Sequence, residues 1–176
     1  NFGPMYTNED IFFRMKHVVF ENLDFVNDAN IIHVYQQTRY PLLIETWEFN
    51  NIVGGHILLQ ALSTLEGSNP ADLNITNITV INNDFKYSTF FILKNKCQLF
   101  VRSCTIKRNN AYFIGSIVSI LGRYSKAEFY QCKFSNNYSI KGGLFYAANK
   151  SNIYVYDSVL FSNFAVIASI GFVANQ

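Results

Sequence analysis

Two pairs of acidic residues stand 24 positions apart, Glu21 with Glu45 and Asp24 with Glu48. A chain coiling with a period near that spacing would gather the four carboxylates into one outer patch. Hydrolysis of a glycoside needs two carboxyl groups at a set separation, and a calcium ion needs several oxygens together. The plainer reading of outward acids is a solvated face. Three histidines, His17, His33 and His56, read most simply as surface or internally satisfied polar groups. Cys97, Cys104 and Cys132 lack the spacing of a zinc site. No nucleophile-elbow, phosphate-loop or dinucleotide glycine pattern occurs. The expectation is no catalytic set, no metal and no cofactor.

Asparagine supplies a second kind of chemistry. Four sequons for N-glycosylation occur, at Asn74, Asn77, Asn137 and Asn149. With 21 asparagines in 176 residues, chance alone produces such motifs, so position must discriminate. Asn74 falls on an outward strand position, and Asn77 and Asn149 fall at bends, so these three are the glycan candidates. Asn137 belongs to an inner corner and should be bare.

The elements that would position these groups come from an internal repeat. Ile106, Phe134 and Leu160 are each followed three residues later by asparagine, and a small residue stands nine positions on: Gly115, Gly143 and Ser169. Such a period marks a solenoid, in which each turn buries its apolar face only against its neighbours. Extended upstream, the anchors are Phe25, Phe49, Val80, Ile106, Phe134 and Leu160, at spacings of 24, 31, 26, 28 and 26. Five residues before them stand Phe20, Ile44, Ile75, Val101, Phe129 and Val155, and seven before stand Val18, Leu42, Leu73, Leu99, Ala127 and Ile153, apolar throughout. The intervening position (Val19, Leu43, Asn74, Phe100, Glu128, Tyr154) is mixed, which is the period-two alternation of a strand. Polar residues three before the anchors (Asn22, Thr46, Asn77, Ser103, Gln131, Asp157) predict a bend. Leu23, Trp47, Ile78, Cys104, Cys132 and Ser158, two before the anchors, then face inward. Asn83, Asn109, Asn137 and Asn163, with Asp28 upstream and Ile52 as an exception, should form a bonded ladder at the next corner. A third strand follows around Phe91, Val118, Phe145 and Gly171.

The expected fold is therefore an all-β, parallel β-helix of about six turns of roughly 27 residues, three short strands to a turn, in one domain over residues 1–176. The longest turn should extrude residues 62–72 as a loop. Residues 57–65 could form a short helix, but continuation of the third strand to about Leu59 is the preferred reading. Ile11–Phe13 reads as the end of an incoming turn. The apolar last strand suggests a segment of a longer protein, and no apolar run reaches the ~18 residues of a membrane helix.

Cys104 and Cys132 share an inward column on adjacent turns, ~4.8 Å apart by strand spacing, which is within disulfide reach. Stacked side chains point the same way, however, and their Cβ atoms would lie beyond the preferred ~3.8 Å. Buried free thiols are the favoured reading and a 104–132 bridge the alternative, with Cys97 left over in both. The outward aromatics Phe100, Tyr130, Tyr154 and Tyr156 offer either cross-strand stacking or a strip for binding sugar or protein.

Phe134-Ser-Asn-Asn137 followed by Gly142-Gly143-Leu144-Phe145 resembles the FxxN and GGAI signature of the polymorphic outer-membrane protein repeats, a class shared with pectin-lyase-like surface proteins. The likeness is sharp over residues 97–176. It implies a right-handed β-helix, secreted or surface-exposed, used in adhesion or coat assembly. Gly54-Gly55-His56 invites comparison with the glycine–histidine motif of polygalacturonases, without the paired aspartates that those enzymes use. A non-catalytic structural or adhesive segment is thus expected, partnered by proteins or further β-helical turns at its ends and by glycans. A carbohydrate-active enzyme of the same fold and an end-to-end assembling coat or filament subunit are the alternatives. A net charge of +2, with no basic stripe, argues against nucleic acid.

Overall fold

The computed structural model describes residues 14–25, 29–35, 42–61, 71–168 and 170–174, and all its regular elements are β-strands. They stack in six rows. The first three rows carry two strands each: β1 (Arg14–Glu21) with β2 (Asn30–Tyr35), β3 (Leu42–Asn50) with β4 (His56–Gln60), and β5 (Ala71–Ile81) with β6 (Phe91–Lys94). The last three carry four. These are β7 (Cys97–Arg102), β8 (Thr105–Lys107), β9 (Asn110–Ile114) and β10 (Val118–Ile120), then β11 (Lys126–Tyr130), β12 (Lys133–Ser135), β13 (Tyr138–Lys141) and β14 (Phe145–Ala148). The final row is β15 (Asn152–Tyr156), β16 (Val159–Phe161), β17 (Phe164–Ile167) and β18 (Gly171–Ala174). Every pairing is parallel and joins one row to the next, in a main sheet of nine strands, a second of six and a third of three. About five full turns separate the first row from the last. This is the expected parallel β-helix.

The bend within the main sheet has a backbone cause. His17, Thr46, Asn77, Ser103, Gln131 and Asp157 form one column, and each adopts a positive φ between 48° and 57°. A left-handed residue turns the strand and reverses its inside–outside parity. Inward positions therefore fall at seven, five, two and zero before the anchor. A second left-handed column, Asn22, Asn51, Asn82, Arg108, Asn136 and Ser162, opens the next corner. Asn tolerates this conformation better than most residues, since its short polar side chain bonds locally.

From Ile44 onward the expected columns hold. Ile44, Ile75, Val101, Phe129 and Val155 are successive register partners, as are Phe49, Val80, Ile106, Phe134 and Leu160. The first row corrects the expectation. Phe20 pairs with Phe49, and Met15 pairs with Ile44, so Phe20 is the anchor and Phe25 is not. Phe20 and Phe49 rings stack at 4.8 Å, with Trp47 against both. Phe25 lies past the corner, where its N–H donates to Val53 O. The same slip moves Leu23 out of the Trp47 column, where Val18 stands instead, and leaves Leu23 exposed. It also replaces Asn22 by His17 in the bend.

Three further corrections follow. A short strand after the ladder corner (β9, β13, β17) makes four strands per turn in the last rows. Its inward residues, Ala111, Ser139 and Ala165, are small and buried. Gly142, not Gly143, is level with Gly115 at the corner beyond, where both have positive φ. A Cβ on Gly115 would meet Val118 O at 2.6 Å and on Gly142 would meet Phe145 O at 2.6 Å. Ala71 and Asp72, expected within the loop, belong to β5, so they are strand and not loop. Residues 57–60 are strand, as preferred over the helix. Ile11–Phe13, Asp28, residues 62–70 and Ser169 lie outside the described residues.

Candidate binding face and polar corner

The ladder forms as a bonded chain. Asn109 Oδ1 accepts both Asn83 N–H (3.1 Å) and Asn83 Nδ2 (2.8 Å), while Asn109 Nδ2 donates to Val80 O (2.9 Å) and to Asn137 Oδ1 (2.9 Å). The pattern repeats from Asn109 to Asn137 and from Asn137 to Asn163. Asn83, Asn109 and Asn137 are buried, so each side chain replaces water for a corner that has lost its strand partners. Ile52 takes the ladder position in the second row, where its N–H donates to Asn83 Oδ1. Leu23 takes it in the first.

The outer face of the main sheet is the most developed surface. Phe100, Glu128 and Tyr154 lie in one column with Asn74, and Thr76, Arg102, Tyr130 and Tyr156 lie in the next. Tyr130 and Tyr156 stack at 4.7 Å, and Tyr154 adds a ring parallel to Tyr156. Glu128 bonds Tyr130 Oη and Lys126 Nζ, each at 2.5 Å. The Lys126 ammonium holds the Glu128 carboxyl below its ordinary range, and the bond to Glu128 pushes the Tyr130 phenol up to about 12. Upstream of these rings lies a depression of about 330 Å³ lined by Asn74, Thr76, Phe100, Arg102 and Tyr130. Asn74 Oδ1 is buried and has no hydrogen-bond partner. Arg102 lies over the Tyr130 ring at 5.9 Å, and no carboxylate among the described residues reaches its guanidinium. An aromatic ring beside a guanidinium that no carboxylate holds can stack a sugar ring and pair with an anionic group.

The acidic patch does not assemble. With the first row shifted, Glu21 lies beside Asn50, Glu48 beside Val19, and Asp24 beside Val53. Glu45 lies beside Lys16, and it pairs with Arg14 and Lys16, whose positive charges hold its carboxyl low. The histidines part as well. His17 is an exposed bend residue. His56 bonds Ser88 Oγ through Nδ1 at 3.0 Å, and burial, helped by Lys94 and His33, lowers its pKa to about 4. Burial lowers His33 too. Among the described residues no cluster of three potential metal ligands occurs.

The cysteine columns resolve against the favoured reading. Cys104 and Cys132 are joined in a disulfide with Cα atoms 4.5 Å apart, rather than standing as free thiols. Adjacent places in one column bring their Cα atoms within disulfide reach. Cys97 is the buried free thiol, and burial pushes its pKa up to about 12.

The sequons separate by the state of their amide. Asn137 is buried, with Nδ2 bonded to Ile106 O and Asn163 Oδ1. Asn149 Nδ2 donates to Leu121 O at 2.9 Å, so its attachment atom is engaged. Asn74 is half-buried in the depression. Asn77 is the exposed one, at the bend. Sequence reasoning missed Arg102 and Thr76; their outward position two residues beyond Phe100 and Asn74 was the available signal.

Comparison with family models, with curated proteins and with solved structures finds no match to this chain.

Proposed function

We propose that this chain is a non-catalytic structural and adhesive segment of an extracellular or cell-surface protein, which uses the outer face of its main sheet to hold a saccharide. The observation that carries the reading is the depression between Asn74, Phe100, Arg102 and Tyr130, with a guanidinium that no carboxylate among the described residues holds. Such a set suits an anionic sugar: the Phe100 ring takes the C–H side, and Arg102 takes a carboxylate or sulfate. Rigid parallel rows hold the residues without a lid or hinge, as a spacer or adhesive element requires. The Cys104–Cys132 bridge between rows suits an oxidising compartment.

Titration with a uronic-acid oligosaccharide, followed by calorimetry or NMR shifts of the Asn74 and Arg102 side chains, tests the reading. Binding with a dissociation constant in the micromolar to millimolar range is expected. Arg102→Ala should weaken it about tenfold or more, since a charge-assisted hydrogen bond contributes roughly 1.5–3 kcal/mol. An unchanged affinity in Arg102→Ala, or turnover of the sugar, would sink it.

A further inference from the structure

The near-neutral total charge hides an asymmetry along the stack. Residues 1–96 carry six Lys or Arg against ten acids, and residues 97–176 carry eight against two. Those two, Glu128 and Asp157, belong to β11 and to the bend of the main sheet. The flank formed by β8, β9, β12 and β13 holds no acid at all.

The same flank shows apolar side chains to solvent. On β9 and β13 the small residues Ala111 and Ser139 point inward, and Tyr112, Phe113 and Ile140 are exposed, Phe113 by 58%. Tyr87, in the turn of the row before, adds a ring that is 75% exposed. It follows Lys86, whose carbonyl accepts the Tyr112 N–H. Rows three to five have a further row on each side, so this exposure is that of a solenoid flank and not of a chain end.

Cations border the strip. Lys107 and Arg108 stand at the corner that opens β9, Lys141 closes β13, and Lys86 lies beside Tyr112. Lys86 is 3.7 Å from Asp24, whereas no carboxylate among the described residues pairs with Lys107, Arg108 or Lys141. An apolar strip with a basic border matches an anionic lipid surface. Rings and aliphatic groups enter the boundary between headgroups and acyl chains, and long basic side chains reach the phosphate and carboxylate oxygens. A protein partner fits less well, because Lys is depleted in protein interfaces and three of the four cations are Lys.

We propose that the β9–β13 flank docks this protein on an anionic lipid membrane, with Phe113 and Ile140 inserted and Lys107, Arg108 and Lys141 over the headgroups. This is a different sheet from the one that carries Arg102, and the docking does not depend on a saccharide there.

Co-sedimentation of the full chain with phosphatidylcholine vesicles, with and without phosphatidylserine, tests it. The anionic lipid should strengthen binding by roughly tenfold or more, and high salt should remove the gain. Phe113→Ser should weaken binding roughly tenfold, and Ile140→Ser, on the next row, somewhat less. Arg108→Asn should weaken it roughly fivefold. Asparagine suits the left-handed backbone there, as Asn82 and Asn136 show in the same column. Arg123→Gln removes an exposed cation from the turn after β10 and should change binding less than about twofold. Equal binding to both vesicles, equal losses for Arg108→Asn and Arg123→Gln, or full binding by both serine variants would each overturn the proposal. So would a dimer of the free chain that Phe113→Ser disperses, since a second copy would then cover the strip.

Discussion

The early and late rows close the same corner in opposite ways. Rows anchored at Ile106 and Phe134 place a buried asparagine there, and each one serves four bonds. Rows anchored at Phe20 and Phe49 place Leu23 and Ile52, and spend their interior on a cluster of Phe20, Trp47 and Phe49, against which Phe90 of the next row packs. The fold does not demand either solution. What it demands is that the corner N–H and carbonyl be satisfied or left near water. Ile52 sits at the boundary, giving its N–H to Asn83 but offering nothing back. A polar corner is therefore cooperative along the stack, whereas an apolar corner hands no side-chain bond on to the row before it.

The largest expected break of this comparison is Asn109→Leu. It places in the ladder the residue type found at position 23, yet the cost should be severe. Asn83 loses the acceptor for its N–H and one Nδ2 hydrogen, and Val80 O loses its donor, all in buried surroundings. Orphaned buried groups cost roughly 1–3 kcal/mol each, partly offset by apolar burial of leucine, so a loss of about 4 kcal/mol is expected. Urea unfolding measures it. A loss under about 1 kcal/mol would mean that the ladder is decoration and the two kinds of row are equivalent.

Acid should separate the regions next. His56 belongs to the early rows, and its pKa is lowered from an ordinary 6.5 to about 4 by burial, with Lys94 and His33 adding to it. The unfolded chain binds the proton first, so stability is full above about pH 6.5 and falls as pH drops toward 4. Allowing for partial exposure, the loss is about 2 kcal/mol. His56→Gln should flatten that slope. Hydrogen exchange between pH 7 and 4.5 should rise in β4 and β6 before it rises in β11 and β12. Uniform loosening would place the sensitivity elsewhere.

Much of this was legible before any coordinates, and the failures share one cause. Columns from Ile44 to Leu160 could be read because apolar anchors and ladder asparagines recur together. The first row slipped by five because Phe25-Val-Asn-Asp28 imitates the anchor-plus-ladder pattern, whereas the true Phe20-Glu-Asn-Leu23 lacks it. Alternation could not arbitrate, since the left-handed bend makes both registers put Val18 and Phe20 inside. That slip also assembled the acidic pairs at positions 21, 24, 45 and 48, so an apparent site was an artefact of register. The binding face was half visible: Phe100 and Tyr130 were marked by their outward parity, but Arg102 and Thr76 needed the row-to-row pairing to join them. The fourth strand was hidden because its inward residues, Ala111, Ser139 and Ala165, are too small and mixed to announce a strand.

The smallest predicted effect sharpens the comparison from the other side. Ile52→Asn would carry the ladder one row further, toward Leu23 and Phe20. Burying asparagine in place of isoleucine forfeits roughly 2–3 kcal/mol of apolar transfer. The new side chain can return roughly 1 kcal/mol for each of two hydrogen bonds, by donating to Phe20 O and accepting Leu23 N–H, as Asn83 does for Phe49 O and Ile52 N–H. A net loss of about 1 kcal/mol is expected, several times smaller than for Asn109→Leu. Ile52→Ser, too short to span the rows, should lose about twice as much as Ile52→Asn. That ranking, read from urea midpoints of the three variants, isolates the bonds from the bulk. Equal losses for serine and asparagine would show that the corner in the early rows is shaped for apolar filling alone, and that the ladder cannot be extended past Asn83.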